Sequence, residues 1–158
     1  MIWIKRLLVV ALIALVAIQF IRPEQNDDSY ESLSTFITET NPSLQVRGIL
    51  KSACYDCHSN HTRYPWYAEV APVSFWLQDH IEEGKEHLNF SNWPNYSSKR
   101  KDHKFKELIQ EVKSSEMPLE SYTWIHEEAK LNSSQTNALL DWAKGARLKY
   151  SLRAVAPQ

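Results

Sequence analysis

Apolar side chains form one continuous block near the N-terminus and recur at helical spacing through the rest of the chain. Residues 7–21 are apolar except for Gln19. Lys5 and Arg6 precede this block, and Pro23 ends it. A basic flank, an apolar block and then a polar chain together predict an N-terminus that enters a membrane.

We interpret residues 1–22 as an uncleaved membrane anchor, because no A-x-A-like cleavage site follows the apolar block. A cleaved signal sequence is the alternative. The positive-inside rule places the N-terminus in the cytoplasm and the rest of this single-pass chain on the outer, periplasmic side of the cytoplasmic membrane. Residues 23–40 are polar and predict a linker, and residues 41–150 predict one small domain.

Apolar residues at i, i+3 and i+4 spacing predict four more helices within residues 41–150. No apolar and polar alternation of a length useful for a strand occurs, so the fold class is predicted to be all-α. Gly84 is expected to end the second of these helices. The predicted helices begin near Asn41, Pro72, Ser97 and Ser133, and end near Ala53, Gly84, Ser114 and Gly145.

Charge and composition exclude one class of partner. The 158 residues carry a formal net charge of -1, so no basic surface dominates. The one cationic cluster, residues 99–106, contains Asp102 and lacks the interleaved aromatic residues of a nucleic-acid interface. We therefore expect no nucleic-acid partner.

Cys54 and Cys57 are the only two cysteines, and His58 follows them, so that residues 54–58 read CYDCH. In an exported chain, C-x-x-C-H is the attachment signature of c-type haem. On a helix, both thiols can reach the vinyl groups on one porphyrin edge, while the residue at i+4 projects toward the iron. The sequence predicts one covalently attached haem c with His58 as the proximal iron ligand.

Three other interpretations of the cysteine pair each lack a component. A thioredoxin-like redox pair would be expected within a βαβ pattern, which is absent from the sequence. A zinc site normally has four ligands, and no second C-x-x-C occurs. A disulfide across so short a loop would constrain the unfolded chain little.

The segment from Cys54 to Trp93 resembles a bacterial haem-binding domain family with a single C-x-x-C-H motif. The resemblance extends over about residues 41–146 and implies a small, mostly helical, cytochrome c-like domain. One departure is Leu119, which replaces the second proline of the family's E-M-P-P segment. The matching motifs are CYDCHSN, TRYPWY, APVS and LNFSNW, followed by Glu116-Met117-Pro118 and Trp142-Ala143.

Met117 is the main candidate for the second axial ligand of the iron. It is the only methionine besides Met1, and Pro118 disfavours helical geometry at Met117, which places it in a loop before the last helix. The resemblance to the E-M-P segment supports this role, and a gap-filling core methionine is the alternative. The competing imidazoles are His61, His80, His87, His103 and His126, of which His80 is the next position to test.

A large, mostly apolar haem also needs a hydrophobic shell. Arg63 is expected to pair with a haem propionate. A backbone carbonyl of Pro65 or Pro72 is expected to bind the second ring nitrogen of His58. General core packing is the alternative for each aromatic residue of the predicted shell: Tyr64, Trp66, Tyr67, Trp76, Trp93 and Trp124.

These observations together predict a membrane-tethered one-electron carrier on the periplasmic side, whose redox protein partner is unknown. The sequence favours electron transfer over an enzyme. The alternatives are a haem-based enzyme subunit or gas or redox sensor with a labile sixth ligand, and a structural haem module that docks a redox partner. The coordination of the iron distinguishes an electron carrier from the enzyme or sensor.

Overall fold

The structure, a computed structural model, describes residues 2–155, and over this range it contains helices and no β-strand. The predicted all-α fold class is confirmed. Short 3-10 turns lie between several of the helices. The helices are α1 (Ile2–Ile18), α2 (Ser34–Thr40), α3 (Leu44–Ala53), α4 (Tyr55–His58), α5 (Val73–His87), α6 (Ser98–Lys113), α7 (Glu120–Thr123) and α8 (Ser133–Val155).

An aromatic cluster around Trp93 forms the centre of the core, where α3 and α6 pack against α8. The Trp93 ring lies 5.1 Å from that of Phe36 and 5.4 Å from that of Phe105, both in edge-to-face geometry. Its indole N–H donates a 3.2 Å hydrogen bond to the hydroxyl of Tyr150. Aromatic pairs in this geometry add to the free energy of simple burial.

The last helix continues beyond its predicted end at Gly145. Helix α8 runs to Val155, because its apolar stripe continues through Ala146 and Tyr150, which are both buried in the core. A glycine inside a helix is tolerated where packing on either side holds the backbone.

Residues 23–40 contribute to the domain and do not form a separate linker. Leu33 and Phe36 are fully buried in the core. The buried Asn26 side chain donates to the carbonyl of Ser59 and to Thr62 Oγ1, each at 2.9 Å. The polar residues of this segment therefore pair with the chain that follows the CYDCH sequence.

The N-terminal helix α1 has 17 residues, and none of them is buried. Within residues 2–155 no helix is both long enough and apolar enough to cross a membrane. The residues that follow α1 contact the domain. The Gln19 amide forms two 3.0 Å hydrogen bonds with the backbone of Ala71, and Arg22 forms a 2.8 Å ion pair with Glu69.

Gly84 lies inside α5 and does not end it, since the helix continues to His87. Its position is explained by a close contact between α5 and α4. A Cβ atom at Gly84 would lie 2.7 Å from the carbonyl oxygen of Cys57 and 3.1 Å from the Cys57 Cβ. Any larger residue would therefore force the two helices apart.

We expect Gly84→Ala to lower the stability of the protein, since the added methyl group overlaps the backbone of Cys57. Overpacking of this kind typically costs about 1–3 kcal/mol. Gly48→Ala is the matched control, because a Cβ atom there meets nothing within 4 Å. That control should be stabilising by about 0.5–1 kcal/mol, as alanine is favoured over glycine within a helix. Thermal unfolding measures both, and equal melting temperatures for the two variants would contradict the contact.

Candidate functional site

A cavity of about 520 Å³ opens between α4, α5, α6 and the segment that leads into α7. Cys54, Cys57 and His58 lie along one wall, and Met117 lies in the segment before α7. The structure thus brings together all of the predicted covalent and axial positions. Apolar side chains make up much of the remaining lining: Leu88, Phe90, Leu108, Val112, Leu119, Leu131 and Leu139.

The His58 ring is held in one orientation by two backbone carbonyls of α5 and its end. Nδ1 lies 2.8 Å from the Gly84 oxygen and 2.9 Å from the Leu88 oxygen. A carbonyl can only accept a hydrogen bond, so Nδ1 carries the proton and donates. Burial lowers the pKa of His58, which favours the neutral ring. Nε2 then carries a free lone pair, as an iron ligand requires.

The carbonyls that hold His58 are not those of Pro65 or Pro72, which the sequence indicated. The physical reason is the close approach of α5 to α4 at Gly84. This approach brings the Gly84 oxygen within reach of the imidazole, although the two residues are 26 positions apart.

Cys54 and Cys57 are free, and their thiols are not of the reactive type. Burial raises the pKa of each thiol to about 12. The neighbouring Asp56 raises both pKa values further, and Cys57 also raises that of Cys54. A thioredoxin-like pair instead requires a lowered thiol pKa. No cluster of three or more metal-binding His, Cys, Asp or Glu side chains occurs in residues 2–155, so nothing there supports a zinc site.

Met117 lies in a loop, as its sequence context indicated, and its side chain is half-buried. Its backbone N–H donates a 3.2 Å hydrogen bond to the carbonyl of Glu111 near the end of α6. Two histidines of α5, His80 and His87, also line the cavity. His80 Nδ1 lies 2.8 Å from the carbonyl oxygen of Trp76, so one of its ring nitrogens is already engaged.

The predicted shell residues do not belong to the lining of the cavity. Trp93 is buried in the core instead, and the Tyr64 hydroxyl accepts a 2.7 Å hydrogen bond from the Asn26 backbone N–H. Trp66 and Trp124 are 80% and 71% exposed, and the Trp76 ring packs against that of His80 at 4.3 Å with the two planes tilted by 52°. Tyr67 Oη lies 2.8 Å from His126 Nε2. Arg63 forms a 2.8 Å ion pair with Asp56. A direct contact of these side chains with haem stays a prediction.

Asp56 and Tyr122 are among the cavity residues that the sequence analysis did not single out. The Asp56 carboxylate is buried and accepts hydrogen bonds from Arg63 and from the Tyr122 hydroxyl. The bond to Asp56 raises the pKa of Arg63, and burial raises the pKa of Tyr122. The sequence feature that could have indicated these partners is the acidic Asp56 between the two cysteines, because a carboxylate that is buried needs a cation or a hydrogen-bond donor beside it.

The α6 wall of the cavity carries charged side chains beside the apolar Leu108 and Val112, and one of them is a cation. Lys104, Glu107 and Glu111 line it, and Lys104 is the only lysine or arginine among the cavity residues that the structure describes. Its Nζ atom lies 2.7 Å from Glu107 Oε2. The donor set suits haem, because the cavity combines two thiols, an imidazole with a free nitrogen, a thioether, apolar side chains and a cation for a propionate.

Comparison with protein families agrees with this geometry. A model of a haem-binding domain matches residues 13–145, which is most of the chain. Neither the curated proteins nor the solved structures contain a match. The match to residues 13–145 confirms the family that the CYDCHSN to LNFSNW motifs indicated, and the chain belongs to the haem-binding domain family.

Proposed function

We propose that the protein binds one haem c covalently through Cys54 and Cys57, with His58 and Met117 as axial ligands, and carries single electrons. One observation carries the proposal: the four side chains line the same cavity of about 520 Å³. When bound, haem supplies a reversible one-electron couple whose potential depends on the axial ligands. The protein supplies attachment, orientation and a largely apolar environment.

The arrangement of the axial candidates favours electron transfer over substrate chemistry. His58 is fixed by two carbonyls, so its ring cannot turn away from the cavity without losing both hydrogen bonds. The Met117 backbone is bound to the end of α6. An iron with a protein ligand on each side has no open position for oxygen or peroxide. Binding of such ligands to the wild-type iron would instead favour an enzyme subunit or a gas sensor.

Because α1 by itself is not long and apolar enough to cross a membrane, we further propose that it does so together with the exposed apolar Phe20 and Ile21 that follow it. This segment would hold the protein in the cytoplasmic membrane of a bacterium, with the haem domain on the periplasmic side facing a redox protein. All side chains of Ile2 to Ala17 are exposed, and most are apolar. Lys5 and Arg6 near its start agree with a cytoplasmic N-terminus. Apolar surface of this extent is typical of a segment that contacts lipid.

Covalent attachment is tested by haem staining after denaturing electrophoresis. The wild-type band should keep its stain, because thioether bonds survive unfolding. Cys54→Ser combined with Cys57→Ser should remove the stain from the band. Gly48→Ala, outside the cavity, is the control that should stain as the wild type does. Full staining of the double variant would refute the attachment.

The sixth ligand is tested with Met117→Leu, which keeps the side-chain volume and removes the sulfur. We expect haem to stay attached and the reduction potential to fall by on the order of 0.1 V, a fraction of the range that axial ligands span. The reduced iron should also bind carbon monoxide more readily. Met117→His should restore six-coordination at a lower potential. Unchanged spectra and potential in Met117→Leu would show that Met117 only packs, and His80 would be the next residue to substitute.

Membrane attachment is tested on the protein in its native host. The full-length chain should stay with the membrane fraction after alkaline carbonate washing, and its intact mass should include residues 1–22. Lys substitutions at Val9 and Leu12 should release it, because a charge at the centre of a membrane segment costs about 2.5–3.5 kcal/mol on insertion scales. A mature chain that begins at Arg22 or later would identify a cleaved signal sequence instead.

A further inference from the structure

The buried carboxylate of Asp56 connects the haem-attachment turn with another part of the chain. Asp56 lies between the two cysteines and is 6% exposed. Its Oδ1 atom accepts hydrogen bonds from the Arg63 backbone N–H and Nε, each at 3.1 Å. Its Oδ2 atom accepts from Arg63 Nη2 at 2.8 Å and from the Tyr122 hydroxyl at 2.7 Å. These four donors fill the acceptor sites of an ionised carboxylate.

Tyr122 belongs to the short segment that carries Met117. The two residues are five positions apart, and both line the cavity together with Pro118 and Leu119 between them. The backbone N–H of Thr123 donates to the carbonyl of Leu119 at 3.1 Å, which closes the turn of α7 behind this segment. This bond couples the backbone after Tyr122 to Leu119, which lies two residues after Met117.

The same segment has few other attachments to the haem-attachment side of the cavity. The Met117 backbone is bound to Glu111 of α6, which forms a different wall. Farther along, His126 stacks on the Tyr122 ring at 4.2 Å and lies 2.8 Å from Tyr67 Oη. Among the side-chain hydrogen bonds described for residues 2–155, the one from Tyr122 to Asp56 is thus the one that joins the Met117 segment directly to the CYDCH turn.

We propose that Asp56 and Tyr122 are positioning residues for the sixth ligand: their hydrogen bond fastens the Met117 segment to the turn that carries Cys54, Cys57 and His58. The proposal rests on the proposed role of Met117. By fixing the backbone beside Met117, the hydrogen bond would keep the thioether within reach of a bound iron. Arg63 forms a 2.8 Å ion pair with the same carboxylate, so Asp56 is held by two partners at once.

The energetics favour a measurable effect. A hydrogen bond to a charged group in a buried site is among the stronger ones in proteins. Its loss should raise the fraction of iron with Met117 detached by about tenfold. Carbon monoxide binds reduced iron only when the sixth position is open. The observed rate of carbon monoxide binding should therefore rise by a similar factor.

The test is Tyr122→Phe in the full-length, haem-loaded protein. The phenyl ring keeps the stack on His126, so the variant loses the hydroxyl and little else. Tyr150→Phe is the matched control, because the Tyr150 hydroxyl also donates to a carboxylate, Glu39 Oε2, at 2.8 Å. Tyr150 lies in the core and does not line the cavity. Both variants are compared in carbon monoxide binding rate, reduction potential and melting temperature.

We expect both variants to melt at lower temperature, while only Tyr122→Phe binds carbon monoxide about tenfold faster and has a lower potential. Wild-type binding rates in Tyr122→Phe would overturn the proposal, as would equal changes in the two variants. Met117→Leu measured in parallel separates the two hypotheses. If Met117→Leu leaves carbon monoxide binding unchanged, the hypothesis that Met117 is the sixth ligand is wrong. If Met117→Leu speeds carbon monoxide binding while Tyr122→Phe does not, Met117 remains the ligand and only the positioning role of Asp56 and Tyr122 is wrong.

Discussion

The pair of hydrogen bonds from His58 Nδ1 to the carbonyls of Gly84 and Leu88 is the interaction on which the site depends. They exist because α5 approaches the backbone of Cys57 more closely than a Cβ atom at Gly84 would allow. The chain after α5 then binds back to the same residue, since the Phe90 N–H donates to the His58 carbonyl at 2.8 Å. Helix packing therefore decides both the tautomer and the direction of the imidazole.

The parts of the structure that could be predicted from sequence are those that neighbouring residues encode. The helix predicted between Ser97 and Ser114 is α6, in which Phe105 and Val112 recur at helical spacing and are buried. The CYDCH sequence keeps two thiols and an imidazole within five consecutive residues, independently of the rest of the fold. Pro118 restricts the backbone of Met117, so its position in a loop was also a local property.

The parts that could not be predicted depend on contacts between distant segments. Gly84 and Gly145 were interpreted as helix ends from local preference, while their actual surroundings are a helix contact and a continuing apolar stripe. The partner of Arg63 is Asp56, a residue whose burial no local pattern reveals. Phe36 lies in a stretch of polar composition, yet its burial makes that stretch part of the core.

The charged side chains that line the cavity on α5 and α6 have an electrostatic consequence. Lys104 is matched by Glu107 at 2.7 Å, and Glu83 and Glu111 add further carboxylates to the lining. A bound porphyrin would bring two more negative groups into this space, so acidic charge would exceed basic charge around the metal. Excess negative charge near a buried iron stabilises its ferric form. These carboxylates would thus oppose the effect of the thioether, which favours the ferrous form. The reduction potential of the haem would then reflect a balance between the axial ligands and the charges of the protein.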